Sequence, residues 1–398
     1  MTTHKLTLRT LSPVHIGDGD EWRLGFDFVL RTFTRNDKEI EQTWVLDADA
    51  VLEAKEAQLK PDLRGHYPLP GSLLTEKDMQ NPRLFRYVLR GQPPSEKADA
   101  RMKPFIKDPS DRPYIPGSSL KGAFRTALAW TGWQDVKISH LEMKDFQYFN
   151  QRKNAWLPKK SPADKFERLL FEPANTHKNL DYCNPNLDLL RALHVSDLRL
   201  QESDEKGPGT GLVVLKAQVL TQGAAQSPIG LEVLVSEVEF RGALKIDDDL
   251  FKPMAAKLGF GDRKRWLEEL LPRAQKHSQA RIARLAEWFE NVTPPAPSAE
   301  RIAGFYRQLS GLNLASDQAL MQIGWGAGWD GKTFWTHLQQ DEFLFERLVS
   351  EFRLDKAGRN SKRRPGDPFP TSRRAAMSGK KEEAKPVAPF GWVLVEME

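Results

Sequence analysis

A single cysteine, Cys183, stands among 398 residues, which excludes an internal disulfide and fits a reducing compartment. Long apolar runs are missing as well. None approaches the ~20 residues needed to span a bilayer, and the N-terminus alternates like a strand where a signal peptide would carry a charged and then an apolar segment. The expectation is a soluble, cytoplasmic chain with no membrane partner. Histidine is scarce, and His4, His66, His140, His177, His194, His277 and His337 show no metal-ligand spacing. No structural zinc and no cofactor are expected. A global field of one sign is also absent, because ten basic residues against three acids between Lys356 and Lys385 account for more than the net +5 and leave the remainder at −2. A polyanion would therefore be gripped by local grooves or by that stretch. Rich in Gly, Pro and Ser, residues 356–388 are expected as a flexible basic loop.

What the sequence does contain is concentrated in a few islands. The first is Tyr114-Ile115-Pro116-Gly117-Ser118-Ser119-Leu120-Lys121-Gly122-Ala123-Phe124-Arg125-Thr126-Ala127-Leu128. Pro116 and Gly117 end an extended segment, Ser118 or Ser119 can cap, and Leu120, Phe124, Ala127 and Leu128 recur at helical spacing. First-turn N–H groups at such a helix start favour an anion. Lys121 and Arg125, four residues apart, put two cations on the same face. The plainer reading of the same residues is an amphipathic helix with two solvated cations.

The second island, Gly326-Ala327-Gly328-Trp329-Asp330-Gly331-Lys332-Thr333, satisfies the phosphate-loop pattern G-x-x-x-x-G-K-T. A P-loop nucleotide-binding protein is accordingly one alternative. Only one strand follows the motif, however, and Trp325 and Trp329 would crowd a nucleotide. As an RNA contact the same parts serve well: glycines admit backbone close to phosphates, Lys332 supplies charge and a Trp can stack on a base. One of the two tryptophans at most is expected to do so, the other packing in the core.

Along the chain, residues 5–11 read as a strand with 26–31 as its hairpin partner, 44–46 as a short strand, and 48–57 as a helix introduced by Asp47. Residues 60–113 read as loops and short helices. A strand is expected at 212–220, and the alternation over 231–242 slips once near Ser236, which suggests a bulge. Helices are expected at 263–292 and 299–309, a strand at 319–323, a helix at 334–352 and a closing strand at 388–395. Strand and helix interleave in both halves, so the fold class is α+β. The division is 1–210 and 211–398.

The segment around Lys121 resembles the signature of the RAMP proteins of type III CRISPR effector complexes. Three further stretches agree in chain order: Leu6 to Gly19 with its His15-Ile16-Gly17-Asp18-Gly19 turn, the glycine loop Gly324 to Thr333, and Ala388 to Val395. Together they are most similar to the head-capping, fifth subunit of the type III-A Csm effector. The resemblance implies two RRM-like (ferredoxin-like) RAMP units with long insertions. It also implies a non-cleaving subunit that binds the 3′ portion of guide crRNA, with target RNA and the other Csm-type RAMP backbone and small subunits as partners. Its RNA contacts would be His15, Gly17, Gly117, Ser118, Ser119, Lys121, Arg125, Gly324, Gly326, Gly328 and Lys332. Arg373 and Arg374 join them, because Pro370-Thr371-Ser372-Arg373-Arg374 resembles a segment before that subunit's closing strand. Asp27 matches approximately the aspartate that backbone subunits of the same effectors use for metal-dependent RNA cleavage. Asp27 and His15 thus carry the other alternative, a metal- or His-dependent endoribonuclease. Residues 60–113 and 263–309 match no motif.

Overall fold

The computed structural model describes residues 2–97, 99–173, 185–201, 207–221, 224–225, 228–355, 363–378 and 384–398. Cys183, His177 and five of the cations of the basic stretch (Lys356, Arg359, Lys362, Lys380 and Lys381) lie outside the described residues.

Leu6 and Leu8, inward on alternate positions, are fully buried in the strand Thr2–Thr10, as a half-buried strand requires. That strand lies inside a sheet built from both ends of the chain. In order, its members are Gln318–Gln322, Trp392–Met397, Thr2–Thr10, Glu239–Ile246, Leu198–Leu200 and Tyr114–Ile115, with Leu193–Val195 also on Glu239–Ile246. Leu8 sits opposite Phe240 on one side and Val395 on the other. The hairpin partner expected at 26–31 is thus not its partner. Phe28–Arg35 pairs instead with Lys38–Leu46, and Phe85–Arg90 completes that three-stranded sheet. Sequence proximity misleads here because the intervening turn is drawn elsewhere, Val14 bridging to Leu234 and Gly17 to Phe105.

A second large sheet runs Lys385–Pro389, Arg373–Ser378, Leu212–Thr221, Ile229–Leu234, Arg101–Lys103 and Trp22–Arg23. It corrects two expectations. Residues 373–378 and 385–389 of the basic stretch are paired strands, not loop. The slip near Ser236 is also no bulge: the chain turns through Glu237 at φ 65° and passes from one sheet to the other, ending Ile229–Leu234 and starting Glu239–Ile246.

The helix Gly117–Asp135 buries Leu120, Phe124, Ala127 and Leu128, the face its spacing foretold. It packs on Leu270–Asn291, and Gly132 leaves room for the Trp266 ring, which a Cβ there would strike. The long helix expected from 263 is broken at Glu269 into Lys264–Glu268 and Leu270–Asn291. The helix expected at 334–352 is a 3-10 segment, Trp335–Gln340, then Glu342–Glu351 capped by the Asp341 carboxylate.

Candidate functional site

The Gly117–Asp135 helix starts two residues earlier than a Ser118 cap would set it, and three earlier than a Ser119 cap. Pro116 is the N-cap and makes no side-chain cap bond, so neither Ser118 nor Ser119 caps. An acid distant in sequence does that work: Asp197 Oδ1 accepts from Gly117 N at 2.8 Å, taking one of the donors left for an anion. The approach needs a glycine, because a Cβ at 117 would fall on the carbonyl oxygens of Val195 and Ser196. Ser118 is exposed, Ser119 and Lys121 half-exposed.

Arg125 does not extend that cationic face. It donates to Glu167 Oε2 and Asp188 Oδ2, both at 2.7 Å, with its guanidinium 4.1 Å from the Phe171 ring centroid. Its role is to tie the helix to its neighbours. Lys121 makes no ion pair among the described residues, and partial burial lowers its pKa against the pull of Asp188.

His15 is buried and donates Nδ1–H to the Glu232 carbonyl at 2.7 Å. Burial lowers its pKa, outweighing that bond, so the ring is neutral and internal. Its carbonyl accepts from Trp325 N at 2.7 Å, which fastens the N-terminal turn to the glycine loop. Gly17 is exposed beside it.

The glycine loop wraps on a carboxylate. Gly324, Gly326 and Gly328 all take positive φ, where a side chain is strained. Asp330, buried beneath them, faces Arg373 with Oδ2 at 3.0 Å and Arg281 at 4.0 Å. Burial works to raise the Asp330 carboxyl, but Arg373, Arg281 and Arg284 together hold it below the usual carboxylate range. Arg281, wholly buried, also donates to Gln322 Oε1 and to the Ala327 carbonyl. Nε of Arg281, Arg284 and Arg373 finds no acceptor among the described residues. Three guanidiniums around one carboxylate leave this region positive.

Above it opens a cleft of about 350 Å³ where Gly326, Gly328 and Lys332 meet Ser372, Arg373 and Arg374. The two motifs, forty residues apart in the chain, thus share one site. Strand alternation turns Arg373 inward and Arg374 outward, its guanidinium 4.5 Å from the Trp325 centroid. Trp329 is packed edge-on against Phe369, and Trp325 against His15 and Phe390. Ser118, Ser119, Lys121 and Arg125 do not line this cleft.

The nucleotide-binding alternative is not met. No helix opens at Lys332, and Gly331 is closed in by the Ala327 carbonyl and the Arg281 guanidinium. Asp27 takes a turn role: Oδ2 accepts from Arg23 N at 2.7 Å. It borders a cavity with Asp47, Asp49 and Asp111, but Asp47 caps a helix and Asp111 pairs with Arg86. No group of three or more His, Cys, Asp or Glu suited to a metal occurs among the described residues, and none of their helices is long and apolar enough to cross a membrane. Arg281, Gln322, Asp197 and Glu167 carry no local signal in the sequence. Asp330 alone lay inside a recognised motif.

The profile of the RAMP superfamily matches residues 7–329. A curated protein of Streptococcus thermophilus, described as CRISPR system Cms protein Csm5, is 31% identical over 175 residues, 40% of this chain and 47% of that one. The matched region thus spans about half the length of that relative. Among solved structures, a chain of a Csm–crRNA–target RNA ternary complex of a type III-A system superposes with TM-score 0.71 and 22% identity over 99% of this chain and 100% of its own. Csm5 of T. onnurineus gives TM-score 0.60 and 20% identity over 97% and 99%.

Proposed function

This chain belongs to the RAMP superfamily, and from that premise we propose that it is a type III-A (Csm) effector subunit. In this reading it binds the 3′ portion of guide crRNA and caps the backbone filament in the cytoplasm, supporting crRNA maturation and RNA-guided antiviral interference without cleaving RNA itself. The observation that carries the reading is the likeness of the whole chain to a chain of the Csm–crRNA–target RNA complex. The curated Csm5 relative supports the same subunit. Target RNA and the other Csm backbone and small subunits are the proposed partners.

Two RRM-like units are the finer form of the fold we propose. One is supported by strand order: Trp392–Met397, Thr2–Thr10, Glu239–Ile246 and Leu198–Leu200 lie in the fourth, first, third and second positions of a ferredoxin-like β-α-β-β-α-β sheet. Its helices are then Gly117–Asp135 and Leu270–Asn291. The side chains proposed to meet RNA are those the fold leaves outward: Ser118, Ser119 and Lys121 at the helix start, and Lys332 and Arg374 at the cleft, with Gly17, Gly326 and Gly328 admitting backbone. His15, Gly117, Gly324, Arg125 and Arg373 hold these surfaces in shape. Sequence recognition is left to base pairing, and the protein reads the backbone.

The test is to purify the chain with its neighbouring subunits and sequence the RNA that comes with it. Short RNAs sharing a repeat-derived 5′ end, depleted by Lys121→Ala with Lys332→Ala, support the reading. A preparation free of RNA that also ignores added guide RNA at low salt overturns it.

A further inference from the structure

The strands Gln147–Asn150 and Ala155–Pro158 form a ribbon that pairs with no other described strand. Its register sets Phe149 opposite Trp156 on one face and Tyr148 opposite Leu157 on the other. Phe149 and Trp156 meet edge to face at 5.6 Å. Tyr148, Phe149 and Trp156 nevertheless remain 45%, 46% and 53% exposed. A two-stranded ribbon is marginal by itself, and aromatic surface left in water on both its faces marks an interaction site.

The charge around the ribbon says what kind. Between residues 147 and 168 there are six basic residues and two acids. Arg152 and Lys153 are exposed at the ribbon's turn. On the Tyr148 side a cavity of about 440 Å³ is bounded by Tyr148, Ser161, four cations (Lys159, Lys160, Lys165 and Arg168) and one acid, Asp164. Lys159 donates to the Asp145 carbonyl at 3.0 Å and Lys165 to its carboxylate at 2.6 Å. Lys160 is exposed and has no ion pair among the described residues. Lysine is depleted from protein–protein interfaces. Flat π faces interleaved with cations are instead what an unpaired polynucleotide needs, bases stacking and phosphates neutralised.

We propose that this ribbon is a second single-stranded RNA site, made of residues different from those of the glycine-loop cleft and the Lys121 helix. Bases stack on Tyr148 and on the Phe149–Trp156 pair, and backbone phosphates lie against Arg152, Lys153 and Lys160. The inference rests on the reading of the chain as an RNA-binding subunit and adds a surface to it.

The full chain is titrated into fluorescent oligouridine, and the same strand carrying thiouridine is photocrosslinked and mapped by mass spectrometry. Expected are crosslinks on residues 147–160 and a loss of affinity of about tenfold for each stacked aromatic removed in Tyr148→Ala and Trp156→Ala. Arg152→Glu with Lys160→Glu, which leaves the rings in place, should lower the slope of log K against log salt by about 0.7 for each phosphate no longer neutralised. Trp156→Phe, which keeps an aromatic ring at that position, should restore most of the affinity. Circular dichroism establishes that each variant is folded. Wild-type affinity in both sets of variants, with crosslinks elsewhere, overturns the ribbon site and leaves the RNA-binding reading standing. No binding of RNA by the wild type overturns both. Unchanged RNA affinity with loss of a neighbouring subunit makes the ribbon a protein contact and sinks the proposal.

Discussion

Asp330 and Arg373 face each other at 3.0 Å beneath the glycine loop, both buried. An ion pair out of water is costly to assemble, but removing one partner leaves the other charge stranded. Arg373→Ala removes the nearest of the three cations and leaves Asp330 with Arg281 at 4.0 Å and the field of Arg284, so it should lower stability by about 1.5–3 kcal/mol, the range for a hydrogen bond to a charged group, in urea unfolding. The adjacent Arg374→Ala removes an outward side chain and should cost less than about 1 kcal/mol while weakening RNA binding. Equal stability losses at the two positions would show that the alternation does not sort their roles.

Gly117 and Gly122 lie in the same helix and should respond oppositely to a methyl group. At 117 a Cβ collides with the carbonyls of Val195 and Ser196, whereas at 122 nothing lies within 4 Å. Gly117→Ala should cost roughly 1–3 kcal/mol as the helix start shifts off the strand. Gly122→Ala should gain about 0.5–1 kcal/mol by lowering the entropy of the unfolded chain. Thermal melts of the two variants check the sign of each.

Stability should fall on mild acidification. Burial lowers the pKa of His15, His277 and His337, assisted at His277 by Arg281 and Arg284 and opposed at His337 by its bond to the Trp130 carbonyl. Below the unfolded value of 6.5 the unfolded chain binds more protons than the folded one, so stability rises with pH and is lost as pH drops. Each histidine still neutral in the fold contributes about 1.4 kcal/mol per pH unit in that window. Urea unfolding at pH 7.5 and pH 5.5 measures it. A flat profile would mean that these rings take up protons without unfolding. Asp330, held low, acts in a more acidic window: its contribution is present above the unfolded carboxylate pKa and lost as pH falls through the folded one.

Local pattern made much of this legible. The alternation of Leu6 and Leu8, the Asp47 cap, whose side chain accepts from Ala50 N, and the apolar spacing from Leu120 to Leu128 follow from a few consecutive residues. What was not legible depends on partners far away in the chain. Thr2–Thr10 finds its neighbours more than two hundred residues on, and Gly117 is met by an acid eighty residues later. The slip at Ser236 was visible, but period alone cannot distinguish a bulge from a crossing between sheets. The same limit applies to charge. Sequence placed Arg125, Arg373 and Arg374 together as cations, and only packing separates those committed to Glu167, Asp188 and Asp330 from the one turned outward.

That separation gives a final prediction on the Lys121 face. Arg125 satisfies two carboxylates at once, so Arg125→Ala leaves Glu167 and Asp188 without the guanidinium they share, with only the weaker pull of Lys121 on Asp188 remaining. The cost should be roughly 1–3 kcal/mol, the range for hydrogen bonds to charged groups. Any loss of RNA affinity would then follow the loss of folded protein and be recovered at lower temperature. Lys121 has no ion pair to lose among the described residues, so Lys121→Ala should leave the melting temperature unchanged. Its effect should be on binding alone: a lower affinity at every salt concentration and a slope against log salt reduced by about 0.7 for a single phosphate. Lys121→Arg should retain the slope because it keeps the charge. Fluorescence anisotropy across a salt series, run beside thermal melts of the same preparations, separates the two residues. A Lys121→Ala protein with unchanged slope would remove the helix start from the RNA surface, and an Arg125→Ala protein of full stability would show that its two carboxylates need no partner.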